Sequence, residues 1–305
     1  MDPKAYRSEE AGKVVLTKLG YWAFIPNPLP PEISWSSSLM SILSEAERDL
    51  SQLSTLIRAF PFPSLLIQPF MRFEAVLSSR IEGTHASLID VYTYETAQLS
   101  FFERTNDVRE VYNYVRAMNY GLERLETLPV SLRLIRELHE TLMEGVRGGS
   151  LAPGEFRRSQ NWIGPVGSTP ATAPYVPPPV EEMHKALDAF EKFIHTDTDI
   201  TPLIRAGMIH YQFEAIHPFL DGNGRVGRLL IVLLLCEWGL LSQPLLNLSV
   251  YIERYRQEYY DLLLGVSQQG AWEAWLRFFL RGVSEQARES VVRMERLQEI
   301  RAKFQ

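Results

Sequence analysis

The amino-acid sequence predicts an all-α fold, and three observations support this prediction. Apolar residues recur every three or four positions over most of the chain, which is the period of an amphipathic helix. Serine and proline precede several of these segments, and glycine often follows them, as expected at helix ends. The stretches in which proline and glycine exclude regular helix, 1–35 and 154–179, are short beside the helical remainder.

Composition limits the class of protein. A chain of 305 residues with 46% hydrophobic content can bury a substantial core. The formal charge of −6 gives no reason to expect nucleic acid or an anionic membrane as a partner. The single cysteine, Cys236, cannot form an intramolecular disulfide, and the start of the chain does not resemble a signal peptide. We therefore expect a cytoplasmic protein that does not associate with membranes.

The first 35 residues predict an irregular arm, because four prolines between 26 and 31 exclude helix. A first helix is predicted from Leu39 to Arg58. A second is predicted over about 70–83, where Phe70, Phe73, Leu77 and Ile81 form an apolar stripe and glycine 83 ends the helix.

Ser78 and Glu82 stand four residues apart on another face of this second helix. A carboxylate in the last turn of a helix is unfavourable unless a cation approaches it, because the helix macrodipole is negative there. We therefore expect Glu82 to pair with an arginine, or else to be an ordinary solvent-exposed residue.

The remainder of the chain continues the helical pattern. Further helices are predicted at 87–124, 131–147, 180–195, 202–216, 229–238, 249–270 and 271–283, followed by a charged helix over 284–304. The stretch 154–179 leaves room for a short hairpin around Asn161, Trp162 and Ile163, whose edge could accept an extended segment of another protein. An ordinary structured loop is the alternative.

The stretch His217–Arg228, HPFLDGNGRVGR, concentrates chemically active side chains before a buried helix. Gly222, Asn223 and Gly224 can turn successive backbone N–H groups inward ahead of a helix N-terminus, which is an arrangement that binds phosphate. The remaining residues supply cationic donors to phosphate oxygens, a carboxylate for Mg²⁺ and a general base; they are Arg225 and Arg228, Asp221, and His217.

This stretch resembles the signature of the Fic domain family, HPFx(D/E)GNGRxxR, at every fixed position. The resemblance is firmest over 131–238 and implies a Fic-type helical bundle with a short β-hairpin flap at about 154–179. It also implies an enzyme that transfers AMP from ATP to a Ser, Thr or Tyr hydroxyl of a target protein, self-modification included.

The resemblance assigns a role to each residue of the loop. His217 would take the hydroxyl proton, Asp221 would hold Mg²⁺, and the nucleotide phosphates would be bound by Gly222, Asn223, Gly224, Arg225 and Arg228. Outside the loop, Tyr260 falls where family members contact the adenosine, and the target would dock on the flap at Asn161, Trp162 and Ile163.

The same resemblance assigns an inhibitory role to the second helix. Fic proteins carry an inhibitory helix with the pattern (S/T)xxxE(G/N), which Ser78 to Gly83 matches, and Glu82 would pair with Arg228. The chain then divides into 1–125 with the inhibitory helix, a catalytic core at 126–283, and a C-terminal helix at 284–305 that leads towards a further module. AMP removal, transfer of another nucleotidyl group, a non-catalytic helical regulator and a homodimer all stay open.

Overall fold

The computed structural model describes residues 1–60, 64–97, 105–146 and 151–302. Within these ranges the protein forms eleven α-helices and one two-stranded antiparallel sheet. The prediction of a helical fold is confirmed. None of the helices in the described ranges is both long enough and apolar enough to cross a membrane.

Two short strands come first along the chain, and the α-helices follow them. They are β1 (Gly12–Leu16), β2 (Trp22–Pro26), α1 (Ser37–Ala59), α2 (Ser64–Ile81), α3 (Leu88–Ala97), α4 (Thr105–Arg124), α5 (Leu132–Leu142), α6 (Val180–His195), α7 (Pro202–Ile216), α8 (Asn223–Glu237), α9 (Leu248–Arg254), α10 (Arg256–Gln269) and α11 (Trp272–Ala302).

Local sequence explains several helix ends. The Ser36 and Ser131 hydroxyls accept hydrogen bonds from backbone N–H groups in the first turns of α1 and α5, as N-cap residues do. Pro202 is the first residue of α7. Proline lacks a backbone N–H, but an N–H at this position would have no hydrogen-bond partner within the helix. Gly270 ends α10 with a left-handed conformation, φ 67°.

The N-terminal arm differs from the sequence prediction because it contains the sheet. β1 and β2 pair from Gly12 opposite Pro26 to Leu16 opposite Trp22. The prolines that exclude helix begin only at the last residue of β2, so they do not interrupt the pairing. The Phe24 N–H donates to the Val176 carbonyl at 2.9 Å, which joins the arm to the flap.

The flap hairpin consists of one antiparallel bridge between Ile163 and Tyr175. The rest of the 154–179 stretch is turns and irregular backbone. Since β2 is bonded to Val176, next to this bridge, the flap is supported from one side by the arm.

Several helices differ in extent from the prediction. α2 begins at Ser64 and not near residue 70, and the predicted 249–270 helix is divided at Tyr255 into α9 and α10. α8 begins at Asn223, six residues before the predicted start, so the second half of the loop motif is helical. α11 is a single helix of 31 residues that runs through residues 283 and 284, where the sequence suggested a division. Residues 98–104, inside the predicted 87–124 helix, and 303–305 lie outside the described ranges.

The core is organised around α7 and α8. Nearly every residue of both helices is buried, and the two helices pack against each other. α1 packs along α11, α4 packs on α5, and α2 packs on α4 and α9. The site loop, which joins α7 to α8, therefore emerges from the most deeply buried pair of helices.

The contact between α2 and α9 depends on buried polar groups. Glu74 of α2 accepts hydrogen bonds from the hydroxyl and the backbone N–H of Ser249. The Asn247 side chain donates to the Phe70 carbonyl at 2.9 Å. Burial raises the pKa of the Glu74 carboxyl to about 7, although hydrogen bonds from Ser249 and the charge of Arg228 oppose the rise.

Glu74→Gln keeps the size of the side chain and one acceptor but cannot ionise. The raised pKa means that folded protein keeps a proton which the unfolded chain releases, so the stabilisation from Glu74 is present below pH 4.5 and lost as pH rises through 7. We expect wild type to lose up to roughly 3 kcal/mol more free energy of unfolding than the variant between these limits. Urea denaturation at a series of pH values measures this, and parallel curves for the two proteins would contradict it.

Candidate active site

The loop between α7 and α8 is shaped by two left-handed residues. His217 ends α7 with φ 49° and ψ 62°, and Gly222 precedes α8 with φ 80° and ψ 2°. Asn223 and Gly224 were expected in the loop but lie in the first turn of α8. The unpaired N–H groups of that turn, and the positive end of its dipole, make it an anion site.

His217 is held as a neutral base. Its Nδ1 lies 3.2 Å from the Glu214 carbonyl oxygen, which can only accept, so Nδ1 carries the proton and Nε2 is left with its lone pair. Burial, aided by the positive charge of Arg157 and opposed by the Glu214 hydrogen bond, lowers the pKa of His217 to about 4. The ring is thus uncharged at neutral pH, with the lone pair of Nε2 free.

Two flap residues anchor the backbone around His217. The Arg157 Nε donates to the His217 carbonyl at 3.0 Å. Asn161 Nδ2 donates to the His217 carbonyl at 3.1 Å and to the Phe219 carbonyl at 2.7 Å. The Asn161 side chain is buried and faces the loop, so it holds the loop backbone. The prediction that Asn161 contacts a target protein stays a prediction.

The other two predicted docking residues do face outward. Trp162 is 41% exposed and Ile163 is 37% exposed. Their assignment to target docking stays a prediction.

Asn223 was predicted to bind phosphate, and its side chain is used otherwise. Its Oδ1 accepts from the Phe219 N–H and its Nδ2 donates to the Phe219 carbonyl, both at 2.8 Å. Phe219 is fully buried and stacks on the His139 ring at 3.7 Å between centroids. The Asn223 side chain therefore closes the loop, and the assignment of Asn223 to phosphate binding stays a prediction.

Asp221 supplies the carboxylate of the loop. Its Oδ1 accepts from the Gly222 N–H at 2.6 Å, and its side chain is 47% exposed. His139 fixes its backbone, since His139 Nε2 lies 3.0 Å from the Asp221 carbonyl oxygen. In the described ranges no three His, Cys, Asp or Glu side chains are grouped as a metal site. One open carboxylate suits Mg²⁺ that is held mainly by phosphate oxygens and water.

Arg225 has a buried partner that the sequence did not indicate. Its Nη1 donates to Glu110 Oε2 of α4 at 3.2 Å, and its side chain is 3% exposed. The same Glu110 oxygen accepts a hydrogen bond from the Thr84 hydroxyl at 2.8 Å.

Arg228 pairs with Glu82. Its Nη2 lies 2.6 Å from Glu82 Oε1, and its Nε donates to the Ser78 hydroxyl at 2.8 Å. The Arg228 side chain is 1% exposed and that of Glu82 is 34% exposed. Burial alone would raise the pKa of Glu82, but the charge and the hydrogen bond of Arg228, together with the charge of Arg225, outweigh burial and lower that pKa. Glu82 is therefore ionised at neutral pH.

The Glu82 carboxylate also lies against the first turn of α8. A Cβ placed on Gly224 would be 2.2 Å from Glu82 Oε1, a distance that no side chain tolerates. The absence of a side chain at Gly224 is thus what lets the carboxylate approach. Glu82 occupies the side of the helix N-terminus where an anion would bind.

Tyr260 lies on α10 at the same side of the site. It is 38% exposed, and the Arg256 guanidinium lies 5.9 Å from the centre of its ring. Burial raises its pKa, and the negative charge of Glu82 raises it further. Its contact with adenosine stays a prediction.

Sequence reasoning missed four residues that shape the site: Glu110, His139, Arg157 and Glu214. Glu214 had a local signal, because it precedes His217 by three residues on α7. Its carboxyl is buried, and burial raises its pKa to about 8 against the opposing charge of Arg228. The other three are brought from distant parts of the chain, so no spacing indicated them.

Family models match most of the helical region. Residues 40–123 match the Fic/DOC family N-terminal model, and residues 129–235 match the Fic/DOC family model. The fold and the loop together define a helical domain with a histidine base beside an anion site at a helix N-terminus. The chain belongs to the Fic/DOC family.

Curated relatives and solved structures agree with this membership. "Protein adenylyltransferase Fic" of Drosophila grimshawi is 28% identical over 202 residues, which are 65% of this chain and 38% of that protein. The Drosophila erecta protein of the same name is 27% identical over 202 residues, 65% of this chain and 37% of that protein. The chain thus spans less than two fifths of the length of these relatives.

Two solved structures share the fold. A Fic family protein from Desulfovibrio desulfuricans G20 superposes with a TM-score of 0.70 at 22% identity, over 87% of this chain and 77% of that one. Fic-1 (residues 134–508) from C. elegans gives a TM-score of 0.62 at 21% identity, over 87% of this chain and 74% of that one.

Asn223→Ala tests whether the Asn223 side chain closes the loop. We expect the variant to lose about 2–4 kcal/mol of free energy of unfolding in nucleotide-free protein, because two buried backbone groups of Phe219 lose their partner. Asn119→Ala, at an exposed position, is the control and should stay within about 0.5 kcal/mol of wild type. Unchanged stability of Asn223→Ala together with weaker nucleotide binding would instead mean that this side chain contacts phosphate.

Proposed function

We propose that this protein is an autoinhibited protein adenylyltransferase, which transfers AMP from ATP to a hydroxyl side chain of a target protein or of itself. The single observation that carries the proposal is the pairing of Glu82 with Arg228 across the anion site beside His217. The names of the curated relatives support the choice of adenylyl transfer.

In the proposed reaction His217 acts as the general base. The target hydroxyl gives its proton to Nε2, and its oxygen attacks the α-phosphorus of ATP. The new oxygen–phosphorus bond forms as the bond to pyrophosphate breaks, and pyrophosphate leaves. Because Nδ1 is fixed on the Glu214 carbonyl, the ring keeps its free nitrogen towards the hydroxyl.

The phosphates would lie on the N–H groups at the start of α8, beside Arg225 and Arg228. Asp221 would hold Mg²⁺, which would neutralise phosphate charge when bound. The protein's own contribution is to hold Asp221 open to solvent, with its backbone fixed by His139.

Inhibition follows from competition for one arginine. Glu82 places a negative charge and its own volume where a terminal phosphate would meet Arg228 and Gly224. A nucleotide must displace it, or bind with its phosphates misplaced for transfer. We assign this inhibitory function to the 1–125 region and catalysis to the 126–283 region.

The flap would hold the target protein. Trp162 and Ile163 are exposed there, and an extended target segment at this edge would bring its hydroxyl to His217. Tyr260 would contact the adenosine from the other side.

The single cysteine of the chain, Cys236, is a free thiol, which suits the cytoplasm as the place of action.

Removal of AMP from a modified target is the second candidate. It is favoured by Glu82 itself, because an ionised carboxylate beside the phosphate site can orient a water molecule for attack. A non-catalytic regulator is less favoured, since such a protein would not need a neutral base and an open carboxylate in one loop.

The test compares wild type, Glu82→Gly, His217→Ala and the control Glu95→Ala, incubated with α-labelled ATP and cell lysate. Glu95 forms a similar ion pair with Arg72 at 2.8 Å, away from the loop. We expect Glu82→Gly to increase labelling by about tenfold or more, because Arg228 becomes available to phosphate. His217→Ala should abolish labelling, and Glu95→Ala should match wild type.

Equal labelling by wild type and Glu82→Gly would refute autoinhibition. Transfer of label from UTP but not from ATP would refute the adenylyl assignment. Glu82-dependent loss of label from a premodified target would favour the reverse reaction.

A further inference from the structure

One carboxylate oxygen links the inhibitory turn to a phosphate-site arginine. Glu110 Oε2 lies 2.8 Å from the Thr84 hydroxyl and 3.2 Å from Arg225 Nη1. All three residues are buried, and Thr84 follows Glu82 by two positions. We propose that Glu110 is a positioning residue, which orients Arg225 towards the nucleotide and couples that arginine to the inhibitory turn through Thr84. This inference rests on the proposed function.

The first step of the argument concerns charge. A buried guanidinium needs a buried counter-charge, and Glu110 provides it for Arg225. Asp221 also forms an ion pair with this guanidinium, but it is 47% exposed and its Oδ1 lies 3.6 Å from Nη2. Glu110 is therefore the charge that determines where the Arg225 side chain sits.

The second step concerns direction. With Nη1 bonded to Glu110, the planar guanidinium turns Nη2 towards the Asp221 side of the loop. In that part of the described structure Nη2 has only a weak acceptor within bonding distance, the Met143 sulfur at 3.7 Å. A phosphate oxygen is a far stronger acceptor, so Nη2 is the group left for the nucleotide.

The third step concerns the turn. Glu82, Gly83 and Thr84 follow the end of α2, and Gly83 has φ 92°, which reverses the chain there. Two residues of α4 hold the segment after this turn: Glu110 accepts from Thr84, and Asp107 accepts from the His85 N–H at 2.9 Å. If Glu82 moves away from Arg228, the Thr84 hydroxyl moves with it and loses its hydrogen bond to Glu110. Glu110 Oε2 then accepts a hydrogen bond from Arg225 only.

The experiment measures ATP affinity and steady-state transfer in the Glu82→Gly background. The variants are Glu82→Gly alone and Glu82→Gly combined with Glu110→Gln, Glu110→Asp or Glu144→Gln. Glu144 is the matched control, because it pairs with Arg116 at 2.5 Å on an exposed surface. We expect Glu110→Gln to raise KM and the Kd for ATP about tenfold, with little change in kcat, because Arg225 loses its orientation.

The conservative variant separates positioning from folding. Glu110→Asp keeps the charge, so it should recover part of the ATP affinity that Glu110→Gln loses. If Glu110 had a purely structural role, the variants would lower thermal stability without raising KM at constant kcat. If Glu110→Gln does not fold, Glu110→Asp tests the positioning of Arg225, and the Thr84 variant described below tests the coupling. An affinity for ATP equal to that of the Glu144→Gln control would overturn the role of Glu110.

Thr84→Val tests the coupling, since it keeps the shape and removes the hydroxyl. In otherwise wild-type protein we expect transfer to rise several-fold, because the turn that carries Glu82 is held less firmly. In the Glu82→Gly background it should have no further effect, and an equal rise in both backgrounds would overturn the coupling. If Glu82→Gly transfers no AMP, the proposed function fails, and the ATP affinities still report on Glu110 separately.

Discussion

The burial of one positive charge determines how the two halves of the site are arranged. Arg228 projects from α8 into the protein interior, where an unpaired guanidinium would cost several kcal/mol. Its hydrogen-bond partners, Ser78 and Glu82, both come from α2 and the turn that follows it. The position of α2 consequently determines whether the positive charge of Arg228 is neutralised. Under the proposed function, a nucleotide phosphate would compete with Glu82 for this guanidinium, because it offers more acceptor oxygens.

The loop itself is held by side chains that bond to its backbone. Arg157 and Asn161 from the flap and Asn223 from α8 together hold the His217 and Phe219 carbonyls. These bonds leave Nε2 of the His217 ring unpaired, since Nδ1 is bonded to the Glu214 carbonyl. The same bonds fix the backbone of the flap relative to the loop and to His217. A target segment placed on the flap would thus be placed relative to Nε2.

Features that depend on neighbouring residues in the chain were predicted better than contacts between residues that are far apart in the sequence. Helical periodicity and end signals predicted α1, α6 and α7 to within a few residues, because those signals are carried by neighbours in the chain. The hairpin β1–β2 was not predicted, since its short strands are stabilised partly by pairing with Val176 of the flap. The motif indicated His217 and Asp221 as functional, but it could not show that the Asn223 side chain is hydrogen-bonded to the Phe219 backbone.

By itself the sequence determined the helical class, the loop chemistry and the pattern that suggested a partner for Glu82, since all three depend on residues close together in the chain. Tertiary structure decided which side chains face the loop and which face the nucleotide site. It buried Arg225 on Glu110, turned Asn161 inward and pressed the Glu82 carboxylate onto Gly224. The physical reason is that desolvation and charge pairing act between groups separated by tens of residues, and only the packed fold brings those groups into contact.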